Sequence, residues 1–128
     1  MSLSDTKIKD IMTKAVISVD PNTSLFQVAK MMEQGSIGAI IVKKNGQPEG
    51  IITDRDFAVR IAVQKQSLDT PVQKVASYPL YTIPAGESIL QAAKTMSAKK
   101  IRKLAAVEGG SVVGIITATD LVNHLARA

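Results

Sequence analysis

The strongest constraint on this 128-residue chain is that it repeats itself. SLFQVAKMM at 24–32 returns as SILQAAKTM at 88–96 with five of nine residues identical, and GIITDRD at 50–56 returns as GIITATD at 114–120 with five of seven. Both matches hold at one offset of 64 positions (24 to 88, 50 to 114), with no insertion between them. Such a duplication predicts two similar substructures related by a pseudo-twofold axis. A unit of about 60 residues buries only about 60% of the surface its unfolded chain exposes and is marginal alone, so the two copies are expected to form one compact module.

The same order of elements is legible in each copy. Leu25, Val28, Ala29 and Met32 recur at helical spacing, mirrored by Ile89, Ala92, Ala93 and Met96. Ser24 with Gln27 and Ser88 with Gln91 fit the capping box that opens a helix. Two short apolar runs follow each helix, split by Asn45-Gly46 and by Gly109-Gly110, which predicts hairpins. A last helix is expected from about Thr53 to Val63 and from about Thr117 to Ala126, and short strands at Val16 to Val19 and Leu80 to Ile83. KIKDIMT and its counterpart PVQKVAS read as short helical turns leading into each copy. The fold expected is therefore α/β of the α+β type, strand-helix-strand-strand-helix twice over. The copies span 8–64 and 72–126, with the polar stretch from Gln64 to Pro71 linking them.

Composition removes several functions. With no Cys and one His, thiol chemistry is excluded and a transition-metal site has almost no ligands. Aromatics are 3% of residues, so platforms for stacking single-stranded nucleic acid are scarce. No run approaches the roughly 18 apolar residues of a membrane span, and MSLSDTKIKD lacks a signal peptide's apolar core. A cytoplasmic protein without a membrane association is the expectation. The net charge of +5 suits phosphate, on a nucleotide or on nucleic acid, and does not choose between them. There is no GxxxxGK[ST] or HExxH motif and no Ser paired with an evident base, so no catalytic residue is assigned. GGSVVG at 109–114 falls in a hairpin turn with Ser111 at the middle glycine position, which rules it out as a dinucleotide loop.

A duplicated unit closing each time in Gly-apolar-Ile-Thr-x-x-Asp, with IMT at 11–13 and VDPNTSL at 19–25 before the first helix, resembles the CBS motif family, named for cystathionine beta-synthase. The likeness covers nearly the whole chain. It implies a regulatory pair of motifs with two related clefts that in many members hold AMP, ADP, ATP or S-adenosylmethionine, with no required cofactor and no catalysis. Carried across, Thr53 and Asp56 serve one cleft and Thr117 and Asp120 the other, the Thr near phosphate or ribose and the Asp on the ribose hydroxyls. The resemblance further assigns Ala15, Val16, Ile37 and Gly38 to the cleft of Asp120, and Tyr78, Pro79, Leu80, Ile101 and Arg102 to that of Asp56. Arg102 and Lys103 stand where members carry basic residues near phosphate, and Arg55 is matched by Thr119, so the clefts should differ in charge. The resemblance also implies a homodimer and an energy or metabolite sensor acting in trans on a separate protein.

Physical chemistry gives the same residues two roles. A carboxylate at a helix opening can accept both hydroxyls of a ribose while the free N–H groups draw an anion. Thr53 with Asp56 and Thr117 with Asp120 equally form Ser/Thr-x-x-Asp/Glu capping boxes, and the local sequence leaves both roles open. The cluster Lys99, Lys100, Arg102 and Lys103 reads either as a solvated face or as phosphate contacts. Two rival functions are carried forward: a nucleic-acid-binding module using that basic face, and a ligand-free dimerisation scaffold.

Overall fold

The computed structural model describes residues 3–127 and contains, in chain order, α1 (Ile8–Ile11), β1 (Ser18–Val19), α2 (Leu25–Gly35), β2 (Ala39–Lys44), β3 (Gln47–Thr53) and α3 (Asp54–Asp56), which runs on into a π-helical turn at Phe57–Ile61. A 3-10 turn at Val72–Lys74 then precedes β4 (Thr82–Pro84), α4 (Ile89–Lys99), β5 (Lys103–Glu108), β6 (Ser111–Thr117) and α5 (Ala118–Ala126). The mixed α/β architecture and its strand-helix-strand-strand-helix order follow the sequence expectation. The last helix of the first repeat does not run to Val63. Its second part is a π turn, closed by the Ala62 amide donating to the Phe57 carbonyl at 2.9 Å, with Ile61 buried and Val63 exposed.

Local chemistry explains the boundaries. Ser24 Oγ accepts from the Gln27 amide and Ser88 Oγ from the Gln91 amide, each at 3.1 Å, so both long helices start where a serine satisfies an orphan N–H. The Gln91 side chain does not turn back to the cap; its Nε2 donates along the helix to Thr95 Oγ1 at 3.4 Å. Both helices end in a left-handed residue, Ser36 and Lys100. The hairpins close through Asn45-Gly46 (φ 52 and 78) and Gly109-Gly110 (φ 59 and 81), the left-handed pair that a two-residue I′ turn requires.

Contacts divide the chain into two units. One is Ile17–Leu80 and the other joins the stretch up to Val16 to the chain from Tyr81 onward. In the first, β1 runs parallel to β2 and β2 antiparallel to β3, with Ser18 opposite Ile41 and Ile40 opposite Ile52. Leu25, Val28 and Met32 of α2 pack with Ile40, Val42 and Ile52 of the sheet. In the second, Thr82 lies opposite Ala105 and Leu104 opposite Ile116, and Ile89, Ala92 and Met96 of α4 pack with Leu104, Ala106 and Ile116. Each hairpin carries a bulge at the same place, leaving Glu49 and Val113 as the extra residues.

The units do not follow the repeat boundaries. The segment that leads into each copy in sequence packs on the core of the other. Val72, Val75 and Ala76 join the core built by α2 and its sheet, whereas Ile8, Ile11 and Met12, their repeat equivalents, pack with α4 and its sheet. Hydrogen bonds repeat the pattern. Ser77 exchanges N–H···O bonds with Ile51 at 2.9 and 3.1 Å, and Thr13 exchanges them with Ile115 at 2.9 Å each way. A second pair of bridges, Ser24 with Pro71 and Lys7 with Ser88, fixes the other end of each segment. Main-chain groups that a free segment would leave to water are thereby paired within the fold.

Candidate functional site

At the end of each hairpin the chain turns from strand to helix on a threonine. The Thr53 amide donates to Asp56 Oδ2 at 2.8 Å, its hydroxyl to the same oxygen at 3.0 Å, and the Asp56 amide returns to Thr53 Oγ1 at 3.2 Å. In the second repeat the Thr117 amide donates to Asp120 Oδ2 at 2.9 Å and the Asp120 amide to Thr117 Oγ1 at 3.0 Å. Both Thr-x-x-Asp steps are thus closed capping boxes, and in each box one carboxylate oxygen, Oδ2, is committed to the backbone. The other oxygen of Asp56 faces Arg60 at 3.9 Å, one helical turn on.

The residue before each second strand ties down the same helix start. The Asp54 amide donates to the Gly38 carbonyl and the Ala118 amide to the Arg102 carbonyl, both at 2.9 Å. The side chains at these equivalent places are exchanged in character. The Asp54 carboxylate lies so close over Gly38 that a Cβ there would come within 2.9 Å of Oδ2. In the second repeat the equivalent residues are Ala118 and Arg102. The first opening therefore carries Asp54, Arg55 and Asp56, and the second carries Arg102, Lys103 and Asp120 with Thr119 in place of the arginine.

The exchange of leading segments decides which assigned residues share a unit. Tyr78, Pro79 and Leu80 belong with Thr53, Arg55 and Asp56; Ala15 and Val16 belong with Thr117 and Asp120. Arg60 connects the first set, donating to Ser77 Oγ at 3.4 Å beside Asp56. Tyr78, Pro79 and Leu80 line one wide, open hollow with Pro48 and Glu49, and neither Thr53 nor Asp56 is among its walls. Ile37 and Gly38 lie in the unit of Asp56, and Ile101, Arg102 and Lys103 in that of Asp120.

Tyr78 is held on several sides. Its hydroxyl donates to the Gln73 carbonyl at 3.3 Å, and its ring covers Gly50. Burial, and secondarily the Glu49 carboxylate, pushes its phenol above the ordinary value of 10.0. Arg60, Ser77 and Glu49 escaped the sequence reading. The Asp56 to Arg60 spacing of four was a usable signal; the bulge that turns Glu49 toward Tyr78 had none beyond the unequal strand lengths. Among the described residues no three His, Cys, Asp or Glu side chains converge to hold a metal ion, and no helix is long and apolar enough to cross a membrane.

Comparison with known proteins agrees with this architecture. The chain is 36% identical to the CBS domain-containing protein YhcV of Bacillus subtilis over 94% of its own length and 86% of that protein's. Its structure is similar to that of an uncharacterized conserved protein from Pyrococcus horikoshii, with a TM-score of 0.87, 27% identity and coverage of 100% and 97% of the two chains. It is also similar to the CBS domain pair of protein MJ0100, crystallised in complex with 5′-methylthioadenosine and S-adenosyl-L-methionine, with a TM-score of 0.81, 26% identity and coverage of 94% and 99%. The description of the CBS domain matches twice, at residues 8–63 and 72–127, and by that double match the chain belongs to the CBS domain family.

Proposed function

We propose that this chain is a non-catalytic sensor that binds an adenine nucleotide, AMP, ADP, ATP or S-adenosylmethionine, and acts in trans on another protein. The observation that carries the reading is the duplicated strand-to-helix opening, Thr53 with Asp56 and Thr117 with Asp120, each joined in its own unit by the leading segment of the other repeat. Each acid uses Oδ2 for its cap, and in this reading Oδ1, which in Asp56 also faces Arg60 at 3.9 Å, accepts from a ribose hydroxyl. Tyr78, Pro79 and Leu80, and in the other unit Ala15 and Val16, offer the surfaces for the base. The basic residues Arg55, Arg102 and Lys103 serve the anionic part of the ligand, and Ile37, Gly38 and Ile101 complete the set. The complex of the MJ0100 domain pair with two adenosine compounds supports this ligand class.

The test is a thermal-shift screen with AMP, ADP, ATP, GTP, S-adenosylmethionine and NADH, followed by calorimetric titration of any compound that raises the midpoint. At least one adenine compound should raise it, and Asp56→Ala or Asp120→Ala should weaken that binding by roughly ten- to hundredfold, the equivalent of one charge-assisted hydrogen bond. A flat screen overturns the reading.

A homodimer in the cytoplasm is part of the same proposal. Helix α5 has no buried residue, and it exposes Val122 by 62% and Leu125 by 53%, three residues apart on one face. A second copy of the chain covers that face in this reading. Val122→Asp should convert a dimer to a monomer in light scattering; a wild-type monomer with and without nucleotide would contradict it.

A further inference from the structure

Away from the helix openings, the hairpin end of the Ile17–Leu80 unit holds a hollow of about 160 Å³ walled by Pro21, Val42, Lys44, Glu49, Gln73 and Tyr78. Among its lining residues Val42 is buried, and Lys44 and Glu49 are exposed and bring one cation and one anion. Neither Lys44 nor Glu49 is held in an ion pair among the described residues. The walls are fixed. The Gln73 amide donates to the Pro21 carbonyl at 3.1 Å, the Tyr78 hydroxyl to the Gln73 carbonyl at 3.3 Å, and Gln73 Nε2 to Asn22 Oδ1 at 3.3 Å. The bulge in β3 sets Glu49 beside Tyr78, and the Leu80 amide holds the Glu49 carbonyl at 2.9 Å.

We propose that this hollow binds a small zwitterion of amino-acid type, its ammonium on Glu49 and the Tyr78 ring and its carboxylate on Lys44. Unpaired charges of opposite sign lining one hollow match a ligand that carries both signs, and a single ion would leave one of the two charges unanswered. A hollow of about 160 Å³ has room for a molecule the size of serine or glycine betaine. The Tyr78 ring, which lines the same hollow, adds attraction for an ammonium in this reading. The hollow is not a by-product of the duplicated fold: the equivalent positions of the second unit are Ala85, Ala106, Glu108, Val113, Lys9 and Lys14, which put an acid in the place of Lys44, an apolar residue in the place of Glu49 and no aromatic ring in the place of Tyr78. The inference does not rest on the nucleotide reading and survives its failure.

The experiment is amide NMR titration of the full chain with glycine, L-serine, L-threonine and glycine betaine, with acetate and ethylamine as singly charged controls. At least one zwitterion should shift the amides of Val42, Lys44, Glu49 and Gln73 saturably in the millimolar range. Lys44→Met and Glu49→Gln, both at exposed positions, should each weaken binding at least about fivefold without lowering the melting midpoint. No saturable shift up to about 50 mM, equal binding of a singly charged control, or unchanged affinity in both variants overturns the proposal.

Discussion

The ring of Tyr78 lies over Gly50 so closely that a Cβ built on the glycine would come within 2.6 Å of Cε1, and within 2.9 Å of the Ser77 carbonyl oxygen. The ring could swing away, but the carbonyl is backbone and is tied to the Ile51 amide at 3.1 Å. Gly50→Ala should therefore destabilise the protein by about 1–3 kcal/mol through overpacking and displace Tyr78. Gly86→Ala meets nothing within 4 Å and should leave stability within about 0.5 kcal/mol of the parent. Chemical denaturation of the two variants, with tyrosine fluorescence for the ring, makes the comparison.

The same ring predicts an alkaline transition. Burial and the Glu49 carboxylate favour the neutral phenol, and the Gln73 carbonyl needs its proton, so the folded protein keeps that proton where the unfolded chain begins to lose it. The stability that Tyr78 contributes is complete below the ordinary tyrosine value of 10.0 and is lost as pH rises through the higher folded value. In a Tyr81→Phe background, ultraviolet titration should show the remaining phenol ionising above 10.0. Glu49→Gln should lower that value only in part, because burial is the larger cause.

Much of this was readable in the residues themselves. The offset between GIITDRD and GIITATD carried the duplication, Asn45-Gly46 and Gly109-Gly110 carried the hairpins, and Thr53 and Thr117 marked both helix openings. The exchange of leading segments was not legible in local pattern, although the resemblance set Ala15 and Val16 with Asp120 and Tyr78, Pro79 and Leu80 with Asp56. Ile8 and Val72 occupy equivalent positions, and an apolar residue's sequence neighbourhood does not say which of two like cores will bury it. The π turn at Phe57–Ile61 had no sequence signal either, since Phe57, Ala58, Val59 and Ile61 satisfy an ordinary helix. For the site, the resemblance supplied Thr53, Asp56, Thr117 and Asp120, whose caps the structure displays. Local pattern supplied nothing for Glu49, because a bulge depends on how two strands meet.

The exchange itself can be tested by cavity formation. Ile8 and Val72 are both fully buried, each in the core of the repeat it does not belong to in sequence. Ile8→Ala should cost about 2–5 kcal/mol and Val72→Ala somewhat less, since it removes fewer atoms. Hydrogen exchange distinguishes the sites of damage. Ile8→Ala should lower protection first at Ile83, Leu104 and Ile116, and Val72→Ala first at Val28, Ile40 and Ile52. The opposite pattern would mean that each leading segment serves its own repeat.

The two acids at the helix openings allow capping to be separated from ligand binding. Asp56→Ala and Asp120→Ala remove the acceptor for the Thr53 and Thr117 amides, and each should lower stability by about 0.5–2 kcal/mol, whatever else the residue does. Asparagine keeps a carbonyl oxygen able to accept from the threonine amide, and removes the charge. Asp120→Asn should therefore melt close to the parent, whereas its neutral amide is the weaker acceptor for a ribose hydroxyl. Asp56→Asn should fall slightly further, because it also gives up the Arg60 contact at 3.9 Å. If both asparagine variants keep parental stability and lose nucleotide affinity measured by calorimetry, the acids bind ligand as well as cap. If they keep both, the carboxylates at these openings serve the helix alone.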